Sequence, residues 1–215
     1  MSRPLKLLLA AHRAELAACR RCGYQEAGVL PILSEAATPK VMLVGQAPGK
    51  TEVGDRRPFA GRAGRTLFRW LETAGITEAV ARKRIYIAAI TRCYPGPSPS
   101  GRGDRVPSPR EREACSGWLD AELAIIRPRI IIPVGRLAID RFLGTRPLEE
   151  VVGRELEARG AWGTSRLFAL PHPSGASSWT NAPEHRALVE RALALLGAAF
   201  LDAGIVRPQR ARRSA

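Results

Sequence analysis

The segment that most limits how this chain can fold runs from Lys40 to Gly49. Four apolar residues, Val41-Met42-Leu43-Val44, pass without a break into Gly45-Gln46-Ala47-Pro48-Gly49. So short a continuous apolar run fits a buried strand rather than an amphipathic helix. The glycines after it let the backbone approach a ligand closely. A helix is predicted next over 64–74, with Leu67, Phe68 and Leu71 inward and Gly75 ending it.

The same alternation recurs along the chain. Strands are expected at 85–90, 130–134 and 167–170, and helices at 5–18, 135–143 and 183–200. Ser108-Pro109-Arg110-Glu111 reads as a capping box with proline at the first helical position, so a further helix should run to Arg127, before Pro128. Between them, 95–107 is a Pro/Gly/Ser-rich loop whose length points to function or mobility. Strands alternating with helices give the α/β class: a three-layer α/β/α fold around a central, mainly parallel, four-stranded sheet. Sites in such folds lie beyond the carboxyl ends of the strands, where the Gly45–Gly49 turn, the Cys93 loop and the His172 loop fall. Residues 1–206 read as one domain and 207–215 as a basic, disordered tail.

Charge narrows the partners. Lys plus Arg number 34 against 20 Asp plus Glu, a net charge of +14. That excess favours a polyanion, because each neutralised phosphate releases condensed counterions. Free arginine usage in a GC-rich genome is the plainer source of the same excess. No apolar run approaches the roughly 20 residues a membrane span needs, and the charged N-terminus does not resemble a secretory signal. A cytoplasmic monomer without membrane contact is the expectation.

The four cysteines form one C-x2-C pair, Cys19 and Cys22, and two singles, Cys93 and Cys115. In a reducing compartment a disulfide framework is disfavoured. Four thiolates brought together make a metal site, zinc or an iron–sulfur cluster, and four unrelated buried thiols are the alternative. Pro58-Phe59-Ala60-Gly61-Arg62-Ala63-Gly64-Arg65 sets an aromatic before a Gly/Arg-rich helix start, suited to stacking a planar ring beside a phosphate. The competing reading is a core Phe with solvent-facing arginines. His172, between Pro171 and Pro173, is held rigidly and is the candidate functional histidine; His12 and His185 fall on helices, where packing or surface roles are commoner.

Together these residues resemble the family 4 uracil-DNA glycosylases. That family carries Gly-Glu-Ala-Pro-Gly where Gly45–Gly49 stands and Pro-Phe-Val-Gly-Arg-Ala-Gly where Pro58–Gly64 stands, at the same separation. Ile126–Gly144 and His172-Pro173-Ser174 are similar to two further family elements. The resemblance implies a DNA repair enzyme that flips uracil out of single- or double-stranded DNA and hydrolyses its N-glycosidic bond, leaving an abasic site. It implies His172 and Gln46 as catalytic residues, with Gly45, Ala47, Phe59 and Ala89 around the base. It further implies Gly61, Arg62, Arg65, Ser174 and Gly175 against DNA, and Cys19, Cys22, Cys93 and Cys115 on a structural 4Fe–4S cluster, with zinc as the alternative.

Two departures stand out. The motif-one carboxylate is Gln46 here, and an amide cannot take a proton from water; Glu52 or Asp55 are the carboxylates nearby. The Asn that reads the uracil edge is Ala89, with Asn181 a candidate substitute. These changes favour, as the second expectation, a protein that binds damaged or abasic DNA with weak or no turnover. A zinc-stapled nucleic-acid module unrelated to repair is a third.

Overall fold

The computed structural model describes residues 2–24, 28–101, 103–174 and 178–206. Eight helices are described in chain order: α1 (Ser2–Ala17), α2 (Lys50–Asp55), α3 (Arg62–Thr73), α4 (Glu78–Arg84), α5 (Pro109–Ile126), α6 (Arg136–Leu143), α7 (Leu148–Val151) and α8 (Pro183–Asp202). Five strands accompany them: β1 (Val41–Gly45), β2 (Ile85–Ala89), β3 (Ile130–Pro133), β4 (Leu156–Gly160) and β5 (Gly163–Leu167). They form one sheet in the order β2-β1-β3-β5-β4. The first four positions are parallel, and β4 returns antiparallel along the outer edge.

The α/β class is therefore as expected, but the sheet has five strands, not four. The extra strand is β4, half of a hairpin closed at Gly163 with φ 106°. Of its five residues only Ala158 is buried, and Glu157 and Arg159 face solvent. A charged edge strand has no apolar run to betray it, and its charges guard the open edge. The predicted strand 167–170 is the far half of β5's path: Phe168 and Leu170 N–H groups continue to bond Ile131 and Pro133 carbonyls at 3.0 and 2.9 Å.

Every residue of β1 and β3 is buried, as a strand covered on both faces requires. Helix α1 packs on α5, and α3 packs on α4 and α8. Ser108 caps α5 as its sequence foretold: its hydroxyl accepts from the Glu111 N–H at 3.3 Å, and the Glu111 carboxylate accepts from the Ser108 N–H at 2.7 Å. At Gly75 (φ 87°) α3 ends in a Schellman turn, with the Ile76 N–H reaching the Leu71 carbonyl at 3.0 Å. Helices α2, α4 and α7 were not foreseen; at 6, 7 and 4 residues they are too short to set up a period.

Because β1 is flanked by β2 on one side and β3 on the other, the chain reverses its winding there. The crevice beyond Gly45 and Pro133 is where a parallel sheet exposes its strand ends.

Candidate active site

Phe59 is built into place by its neighbours. Its φ of 52° lies in the left-handed region, an uncommon and costly conformation for a bulky residue. Three features hold it. Buried Arg82 donates to the carbonyls of Pro58 at 2.8 Å and Phe59 at 3.2 Å, while its Nε is fixed by Glu78. A side chain on Gly64 would collide with the Phe59 carbonyl, so the first turn of α3 seats directly on that backbone. The ring tip lies 2.9 Å from where a Cβ on Gly45 would stand. The glycines at both ends of the motif are thus sized to Phe59.

His172 follows β5 and lies against Gly135, whose positive φ (84°) and missing side chain leave room for the imidazole. Its Nδ1 sits 2.8 Å from the Ser174 hydroxyl and accepts from the Ser174 N–H at 3.3 Å. A ring nitrogen that accepts a backbone N–H carries no proton, so Nε2 bears the hydrogen and can donate. Burial lowers the His172 pKa, which keeps the ring neutral near pH 7.

One cavity of about 1020 Å³ brings these parts together. Gln46, Ala47, Phe59, Gly61, Arg62, Arg65, His172 and Ser174 all line it, and so does Arg69 one turn further along α3. Beneath Phe59 a second recess of about 30 Å³ is lined by Gly45, Ala47, Phe59, Ala89 and Arg92. That is room for about one water, not for a base. Asn181 lies exposed in the short turn before α8, outside both cavities. Gly175 is outside the described residues.

Of the two nearby carboxylates, Asp55 is exposed at the end of α2 and Glu52 lines both cavities. Burial pushes the Glu52 carboxyl up, backbone N–H groups of Gly49, Glu52 and Phe59 pull it down, and Asp104 pushes it up again. The Gly49 N–H is thereby spent on Glu52, at 2.6 Å. In the turn, Pro48 has no N–H, so the amides left for a ligand are those of Gln46 and Ala47. Asp104 and Arg105 also reach the large cavity from the 95–107 loop. Neither was singled out, because a loop with no period gives no sign of which side chain turns inward.

The four cysteines come from the segment after α1, the segment after β2 and α5, and lie close enough to act on one another. Cys93 and Cys115 are buried, and Cys19 and Cys22 half-buried. Burial pushes the Cys93 thiol up to about 12, and nearby Cys115, Cys22 and Cys19 add to the rise. Burial likewise raises Cys22 and Cys115. Thiols this reluctant to ionise alone are what metal ligation would deprotonate. The Trp118 indole donates to Cys19 Sγ at 3.3 Å, and the Arg92 backbone N–H bonds Cys115, the kind of support that tunes ligand sulfurs. Among the described residues no three His, Cys, Asp or Glu side chains converge as a site for one ion. Cys19, Cys22, Cys93 and Cys115 are the thiols that could hold a metal group.

Behind both sites lies a buried polar knot. Glu122, fully buried, accepts from Tyr86 at 2.8 Å, contacts His12 Nε2 at 3.2 Å and pairs with buried Arg92. His12 is therefore a packed, hydrogen-bonded residue. His185 stacks on Trp179 at 4.1 Å and bonds its carbonyl, also away from the cavities.

The family model described as the uracil DNA glycosylase superfamily matches residues 33–196, from before β1 into α8. The chain belongs to that superfamily. It is 31% identical over 169 residues to a type-4 uracil-DNA glycosylase of Archaeoglobus fulgidus, covering 74% of this chain and 78% of the relative. It is 31% identical over 137 residues to a type-4 enzyme of Thermotoga maritima, covering 63% and 65%. A type-5 uracil-DNA glycosylase of Pyrobaculum aerophilum is also 31% identical, over 180 residues, covering 77% and 73%. The chain thus spans just under two thirds of the Thermotoga relative. The superfamily match takes in the Gly45–Gly49 turn, Phe59, two of the cysteines and the His172 loop, and leaves Cys19 and Cys22 outside. No described helix is long and apolar enough to cross a membrane.

Proposed function

We propose that this chain is a uracil-DNA glycosylase, hydrolysing the N-glycosidic bond of a uracil flipped out of DNA and leaving an abasic site. One observation carries the reading: an aromatic ring held in a strained conformation and a buried histidine whose Nδ1 is engaged by Ser174 line the same cavity. Unstacking and unpairing the base cost a few kcal/mol, and a ring such as Phe59 offsets part of it by stacking. The small recess beneath Phe59 must widen for a base to seat there.

As the bond from N1 to the sugar breaks, electrons move onto uracil and negative charge gathers at O2. His172 Nε2–H donates to that oxygen, and the neutral ring gives up no proton in doing so. The Gln46 and Ala47 amides hold the base, and the Gln46 side chain orients the water. The sugar becomes an oxocarbenium-like cation that water then captures. Arg62, Arg65, Ser174 and Gly175 hold the phosphates beside the flipped nucleotide. Ala89 cannot supply the contact of an Asn, and Asn181, the candidate substitute, is not among the described residues that line either cavity.

Cys19, Cys22, Cys93 and Cys115 would hold a structural 4Fe–4S cluster that pins the end of α1 to α5 and to β2. The four thiols lie close enough to act on one another electrostatically, which supports one shared metal group, with zinc as the alternative to the cluster. We take residues 1–206 as one domain of a cytoplasmic monomer, acting on single- or double-stranded uracil-containing DNA. Gln46 and Ala89 favour one other reading, a binder of damaged or abasic DNA with little turnover.

The test is excision from an end-labelled oligonucleotide with one uracil, in EDTA, followed by alkali. Cleavage at the uracil is expected. Binding without cleavage would replace the enzyme with the binding protein.

A further inference from the structure

The loop at 95–107 is a folded excursion. The Arg105 N–H bonds the Gly96 carbonyl at 3.0 Å, the Ser98 N–H bonds the Gly103 carbonyl at 2.9 Å, and Pro97 bridges Asp104 in antiparallel fashion. Arg105 ties its base down: its guanidinium holds Glu111 at 2.8 Å and the Tyr24 hydroxyl at 2.9 Å. Asp104, the next residue, is thereby turned toward the cavity.

Its position is specific. Asp104 Oδ2 and Glu52 Oε2 each lie 2.8 Å from where a Cβ on Gly49 would stand, so the two oxygens are at most twice that distance apart. A side chain on Gly49 would strike both. The two carboxylates are not equivalent. Glu52 is buried, and its lone pairs are taken up by the backbone N–H groups of Gly49, Glu52 and Phe59. Asp104 is exposed at the cavity wall, and among the described residues the Tyr94 phenol bonds it. Glu52 is a brace; Asp104, exposed at the wall, presents its carboxylate to water.

We propose that Asp104 is the catalytic carboxylate of this site, supplied by the excursion in place of the acid that Gln46 cannot be. The inference rests on the glycosylase reading above. The bond from N1 to C1′ breaks with its electron pair leaving on uracil, and water oxygen bonds to C1′. Asp104 takes the water proton and passes it to the departing uracil anion, which regenerates the carboxylate. Before capture, its negative charge faces the sugar cation.

The experiment compares single-turnover excision by the full chain with that of Asp104→Asn and Asp104→Ala, on the same uracil oligonucleotide. Thermal stability and affinity for that oligonucleotide are measured alongside. Asp104→Asn should slow excision by about 100-fold, the scale of a lost general base, with affinity and melting temperature held. Added formate should restore part of the rate of Asp104→Ala, which a merely structural aspartate would not allow. Wild-type rates in Asp104→Asn would overturn the assignment and leave the glycosylase standing. Rate, affinity and stability falling together with no formate rescue would overturn it too, by making Asp104 a loop-holding residue. No excision by the unaltered chain would bring down both.

Discussion

The buried knot around Glu122 and the open cavity beside Phe59 face opposite demands. On the cysteine side, the polar groups of the Glu122 knot are closed on one another: His12, Tyr86 and Arg92 all converge on a carboxylate with no exposed surface. On the cavity side, Phe59 sits in a strained backbone, arginines stand exposed, and the Asp104 carboxylate stands exposed at the wall. The first region is buried and closely paired, with Arg92 Nε left without a partner among the described residues; the second is open to solvent. Arg92 joins them, since it pairs with Glu122, bonds Cys115 through its backbone and lines the recess under Phe59. Strain at a site persists where the surroundings over-determine it.

The comparison breaks most visibly if the knot is cut. Glu122→Ala leaves Arg92 buried without its partner and should cost about 3–5 kcal/mol of stability by denaturant unfolding. A smaller loss would mean that the knot does not anchor the molecule. His172→Ala tests the open side: single-turnover excision should drop by about 100- to 1000-fold, roughly 3–4 kcal/mol in the barrier, with stability and DNA affinity little changed. Equal losses in excision and affinity would make His172 a binding residue.

Gly64→Ala sharpens the boundary between the regions. Its methyl group would drive into the Phe59 carbonyl, at a cost of about 1–3 kcal/mol as overpacking, and it should lower activity through a displaced ring. Full activity in that variant would show that Phe59 needs no fixed backbone. Ser108→Ala should cost about 1 kcal/mol from lost capping, seen as a modest fall in melting temperature with excision unchanged.

Much of this was legible in the chain because it is written in residues with few alternatives. Buried strands β1 and β3 are pure apolar runs, and Ser108-Pro109-Arg110-Glu111 can only begin a helix. The Gly45 turn, Phe59 and His172 were recognisable by motif and do line one cavity. The β4 edge was not legible, because a charged strand stabilised by pairing carries no hydrophobic signal. Nor was Asp104, whose meaning depends on Arg105 finding Tyr24, 81 residues away. Asn181 rests on chemistry alone, and it is not among the described residues lining the cavities. Distance in the sequence hid the contacts that matter most to the site.

The seating of Phe59 has a consequence for how such a chain can change over generations. Gly45 clears its ring, Gly64 clears its carbonyl, and Arg82 with Glu78 clamps its backbone. None of the five can be exchanged on its own without disturbing the others. Lineages that alter this corner should do so in concert, so that the historical record of substitutions here will read as correlated pairs and triples, while the exposed faces around it drift freely.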